Sequence, residues 1–179
     1  MRRRAEELAI GEWAVLALLA EGPTHGFALA RALAPDGEVG QVWTMKRPLA
    51  YHVIDSLVEL GLAARVGTAA GAGGPRRRVV EATPAGRRRV TLWLRRPVAH
   101  IRDARSLLML KLLFLERRDA DPGPLLAAQR ARFAVIEGTL EASMSESEGF
   151  ARTLLLWRLE NVRAALRFLD ELMLPGRRP

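Results

Sequence analysis

Six arginines in the stretch GPRRRVVEATPAGRRR, residues 74–89, stand in two triplets, Arg76–Arg78 and Arg87–Arg89, separated by a short apolar run and Thr83-Pro84. A guanidinium is a permanently charged, planar fork of five donors, so clusters of it pair with phosphate or carboxylate oxygens. A second polar group, Lys46, Arg47, Tyr51 and His52, opens a segment with helical spacing. Reaction chemistry has no comparable signature. The chain contains no cysteine, which excludes disulfides, thiolate metal ligands and a thiol nucleophile. His25, His52 and His100 stand singly, with no second histidine at ligand spacing, so no metal site is expected. The stretch GTAAGAGG, at 67–74, lacks the Lys-Ser/Thr of a phosphate-cradling loop and precedes a strand pattern rather than a helix. Neither catalysis nor a cofactor is expected.

These basic groups need elements to hold them. From Ala5 to Ala20 apolar residues crowd a helix nearly apolar at its end, which predicts burial on more than one side. Gly22-Pro23-Thr24-His25 supplies a turn with Thr24 as N-cap, and a short second helix follows as far as Ala34-Pro35-Asp36-Gly37. Pro48 suits the first turn of a third helix that Gly61 ends, with Val53, Ile54, Leu57 and Leu60 as its core stripe. Leu62–Val66 and Arg77–Ala82 read as two strands joined by a Gly-rich tip, and Thr83-Pro84 opens a fourth helix that closes before Pro97. This order is that of a winged helix-turn-helix.

The remaining residues predict three helices, about 99–117, 124–144 and 150–173. The last carries one stripe of Leu155, Leu159, Val162, Leu166 and Leu169 and another of Phe150, Leu154, Trp157 and Phe168. Two apolar stripes need two partners, so self-association is expected, with the first stripe as the dimerisation face. The fold class is thus mainly α: a winged helix-turn-helix with a two-stranded wing at 1–96, then an all-helical dimerisation region at 97–179.

Charge follows the same division. The chain has 28 Lys+Arg against 20 Asp+Glu, net +8 with a pI near 11.3; residues 1–97 carry 15 basic and 9 acidic side chains, 98–179 carry 13 and 11. An acidic polymer is therefore the expected partner of the N-terminal half. The longest apolar runs, LAIGEWAVLALLA and SLLMLKLLFL, are too short to cross a bilayer, and MRRR followed by Ala-Glu-Glu is not a secretion signal. No membrane partner and a cytoplasmic location are expected.

Three stretches in order resemble the PadR family of bacterial transcriptional regulators: LALLAEGPTHGFALARAL at 16–33, AYHVIDSLVELGL at 50–62 and GGPRRRVVEATPAG at 73–86. The resemblance implies a homodimer, joined through the all-helical tail, that binds double-stranded DNA at an inverted-repeat operator. The expected DNA-binding residues are Lys46, Arg47, Tyr51 and His52 on the third helix, with Tyr51 the family's phosphate-contacting tyrosine, and Arg76, Arg77 and Arg78 on the wing. Lys46-Arg47-Pro48-Leu49-Ala50-Tyr51 replaces the family's usual Ser-Pro-Gly-Ser/Thr-Leu-Tyr, so base readout should differ. Arg87–Arg89 spread around a helix and are expected chiefly at the solvated surface. Val79-Val80 and Gly26-Phe27 stand where the family has tyrosines, and both are compatible with core roles. Trp13 and Trp157 have two readings, core packing or an effector pocket at the dimer interface as in some ligand-responsive relatives. The expected function is a dimeric repressor; the alternative is a winged-helix protein-interaction module whose basic face is incidental.

Overall fold

A computed structural model describes residues 8–71 and 74–174, without the side chains of 69–71 and 74–76. Helix α1 (Ile10–Leu19) is the centre of the N-terminal half, with every residue from Ala14 to Leu19 buried. Its all-round apolar sequence fits this position, since α3, α4 and the sheet all pack on it. Residues 5–7 of the predicted helix lie outside the described residues.

Thr24 is not the N-cap of the next helix. Thr24–His25 form a short strand, β1, and His25 caps α2 (Gly26–Ala32), its Nδ1 accepting the Ala28 N–H at 3.0 Å. The sequence offered a hydroxyl for the cap, but pairing of Thr24 with Val80 and of His25 with Val79 draws both residues into an antiparallel sheet. Helix α3 (Arg47–Glu59) starts after Lys46 with Pro48 in its first turn and buries Ala50, Val53, Ile54 and Leu57. It ends as predicted: Gly61, at φ +68, takes the left-handed conformation open to a residue without Cβ.

The wing is longer than its apolar residues suggested. Strands β2 (Ala63–Gly71) and β3 (Gly74–Ala82) pair antiparallel, and β3 is the middle strand of the order β1-β3-β2. Thr83 then caps α4 (Pro84–Arg95), its Oγ1 accepting the Gly86 N–H at 3.1 Å.

Between Val98 and Leu174 the only regular elements are helices. A turn of 3-10 helix at Ile101–Asp103 and a π-helical stretch at Ala104–Leu108 lead into α5 (Met109–Glu116), followed by α6 (Gly123–Met144) and α7 (Gly149–Leu172). Helices α6 and α7 pack together, sealed along one edge by Arg163, which bonds Glu137, Glu141 and Glu160. The stripe expected to be the dimerisation face is spent here. Leu159, Val162, Leu166 and Leu169 are buried within the single chain and Leu155 is half-buried, because α6 offers Leu126, Gln129 and Phe133 as a complementary face. The second stripe is the free one, with Phe150 80% and Trp157 68% exposed.

Two buried polar side chains join the halves. Lys111 donates to the carbonyls of Trp93 (2.5 Å) and Arg96 (2.7 Å), closing the end of α4. Gln129, fully buried, brackets Val98: Oε1 accepts its N–H at 2.7 Å and Nε2 donates to its carbonyl at 3.2 Å. Leaving such buried backbone groups unpaired costs about 1–3 kcal/mol each, so the junction is specified and not a free tether. Among the described residues no helix is long and apolar enough to cross a membrane, and no group of three or more His, Asp or Glu could hold a metal ion.

Candidate nucleic-acid interface

The start of α2, the outer face of α3 and the base of the wing enclose a concavity of about 560 Å³. Among the described residues four arginines line it, Arg47 from α3, Arg65 from β2 and Arg77 and Arg78 from β3, against a single carboxylate, Asp55. Asp55 is bound to Arg65 at 2.5 Å in a pair about half exposed, a geometry worth little to stability. The concavity therefore keeps a surplus of cationic donors in a walled site, where field lines concentrate.

Aromatic rings set the positions of these donors. The Arg77 guanidinium lies 4.8 Å from the Phe27 ring centroid, and Arg47 lies 5.4 Å from Phe27 and 5.9 Å from Tyr51. Such cation–π contacts contribute about 0.5–1 kcal/mol at exposed sites, enough to bias long side chains toward one geometry. Tyr51 lies in turn against Gly26, where an added Cβ would stand 2.5 Å from the Tyr51 ring. Only glycine lets the ring come this close, which ties the Gly26 of one motif to the Tyr51 of another.

Residues 15–92 match the family model described as "Transcriptional regulator PadR-like family". These residues form a PadR-like domain. Among solved structures, the chain is similar to Bacillus subtilis PadR in complex with operator DNA, at 20% identity and a TM-score of 0.47, covering 92% of this chain and 97% of that one. It is also similar to a protein of Streptococcus mutans, at 13% identity and a TM-score of 0.42, covering 90% of this chain and 96% of that one. No curated protein matches it.

The PadR-like domain brings together some of the expected residues and leaves others apart. Arg47, Tyr51, Arg77 and Arg78 line the concavity. Lys46, which precedes α3, and His52 are exposed but outside its lining, and the side chain of Arg76 lies outside the described residues. Arg87 and Arg88 are exposed on α4, and Arg89 lies 5.8 Å from the Trp13 ring centroid. Trp13 itself stacks on Trp93 with centroids 4.8 Å apart and planes 8° from parallel, whereas Trp157 stands on the outward face of α7. Neither tryptophan lines the concavity.

Three lining residues escaped the sequence reading. Phe27 is 41% exposed and carries two guanidinium groups, so its core role is not observed. His25 and Phe27 had a signal in the motif GPTHGF, which brackets Gly26 with an imidazole and a ring. Arg65 had none, being a lone charge in a short apolar strand.

Proposed function

We propose that this chain is a dimeric transcriptional repressor that binds double-stranded DNA through α3 and the wing of its PadR-like domain. The carrying observation is the concavity with four arginines against one carboxylate, beside the exposed side chains of Arg47, Leu49 and Tyr51 at the start of α3. A major groove about 12 Å wide admits one helix, whose N-terminal side chains meet base edges while flanking cations meet phosphates. Arg47 and Tyr51 are the candidates for base and register contacts. Arg77 and Arg78, with Arg76 preceding them on β3, are the candidates for backbone or minor-groove contact.

The self-association face in this proposal is Phe150, Leu154, Trp157 and Phe168 on α7. These side chains form an apolar stripe that stays exposed among the described residues, most of all at Phe150 and Trp157. Residues 97–179 then act as the dimerisation region and 1–96 as the DNA-binding region. Pairing would place two copies of α3 to read half-sites about one helical turn apart, and occupancy of such a site blocks transcription without chemistry.

The test is binding of purified protein to the DNA upstream of its own gene. An inverted repeat bound there with an affinity at least about a thousandfold above that for random duplex supports the proposal. Equal, weak affinity for every duplex would sink sequence-specific recognition and favour the protein-interaction reading.

A further inference from the structure

His25 and Arg77 meet in a way that satisfies neither. The His25 Nδ1 accepts the Ala28 N–H, so it carries no proton, and the neutral ring must hold its proton on Nε2. Nε2 lies 3.4 Å from Arg77 Nη1, and a guanidinium has donors only. Donor therefore faces donor. Among the described residues neither Nε2 nor the Arg77 guanidinium has a carboxylate or carbonyl to donate to.

Each group is nonetheless fixed. His25 is held by its cap and by pairing with Val79, and Arg77 by the face of Phe27. Two donors preorganised side by side in the lining of a cationic concavity suit one acceptor that has several oxygens and a negative charge. The geometry points to a phosphate seat, in which His25 Nε2 and Arg77 together hold one backbone phosphate of bound DNA. This inference rests on the DNA-binding reading and adds to it a residue, His25, and a defined contact. In the seat His25 both caps α2 and donates to the ligand, so DNA contact is coupled to the helix that supports α3.

The experiment uses full-length protein and a duplex selected by it from a random-sequence pool. Single linkages of that duplex are replaced in turn by neutral methylphosphonates. One linkage per half-site should weaken wild-type binding about tenfold, the loss typical of a charge-assisted hydrogen bond. His25→Ser keeps an N-cap oxygen but removes the Nε2 donor. This variant and Arg77→Ala should each bind the unmodified duplex about tenfold more weakly and lose only about threefold at that same linkage, where one donor remains, and the double variant should be insensitive to it within about twofold. If His25→Ser does not fold, Phe27→Leu removes the support of Arg77 with the cap intact and should show the same reduced sensitivity. Variants that still lose tenfold at that linkage would overturn the seat while leaving DNA binding in place; a wild-type protein that selects no duplex would overturn the DNA reading itself. Replacing chloride by inorganic phosphate at matched ionic strength should leave wild-type binding unchanged. Specific inhibition that His25→Ser abolishes would assign the seat to a free phosphoryl group and overturn the backbone assignment.

Discussion

Replacing Lys111 by methionine tests how the two halves are joined. The Lys111 side chain is 3% exposed, and burial first, with the charge of Arg96 second, holds its pKa down from 10.5 to about 8. A lysine so perturbed destabilises the folded state while it stays charged. Below pH 8 folded and unfolded chains both hold the proton, so the cost is constant and fully present. Between pH 8 and 10.5 the unfolded chain binds the proton that the folded chain has released, and stability must rise with pH. At 1.36 kcal/mol per pH unit the whole effect is at most about 3 kcal/mol. Lys111→Met keeps the apolar stem, removes the titrating group, and leaves the carbonyls of Trp93 and Arg96 without their donor at every pH. Urea unfolding of both proteins from pH 7 to 10.5 separates this group from all others that titrate. The stability of the wild type relative to Lys111→Met should increase by about 2–3 kcal/mol across that range. A difference that stays flat within about 0.5 kcal/mol would refute the burial of a charged ammonium at the junction.

Three further substitutions probe the helical half. Gln129→Leu strips Val98 of both its partners and should cost about 2–4 kcal/mol in chemical denaturation, with the midpoint lowered and the secondary structure retained. Leu166→Ala should cost about 2–5 kcal/mol because that side chain is buried within the chain. Trp157→Asp should change stability by no more than about 0.5 kcal/mol yet shift sedimentation toward the monomer, since its ring is exposed in one chain. A Trp157→Asp protein that sediments like the wild type would remove α7's free stripe from the self-association face.

Most of the N-terminal half was legible because its signals are local. Pro48, Gly61 and Thr83-Pro84 act within one turn of chain, and the periodicity of α3 identified its buried face. What was missed is tertiary. Strand β1 exists only because β3 passes beside Thr24 and His25, and that pairing moved the cap by one residue. Periodicity showed two apolar stripes on α7 but could not say which one α6 would cover. Lys111, inside the apolar run SLLMLKLLFL, and Gln129 carry no local signal of their roles, because the backbone groups they hold are more than ten residues away. Phe27 is compatible with a core role in the sequence, but its partners are arginines on two other elements. The concavity draws on α2, α3 and both wing strands, so no single motif contains it.

The salt dependence of duplex binding shows which face meets DNA when wild type is compared with Arg77→Ala/Arg78→Ala and Arg87→Ala/Arg88→Ala. Abolishing one arginine–phosphate pairing should flatten the plot of log affinity against log salt by about 0.9. The wing variant should flatten by at least that amount in each subunit and bind all sequences more weakly. The α4 variant should stay close to the wild-type slope, because Arg87 and Arg88 lie outside the concavity. Equal slopes for the two variants, or flattening confined to the α4 variant, would contradict the assignment of the α3–wing face as the surface that meets DNA.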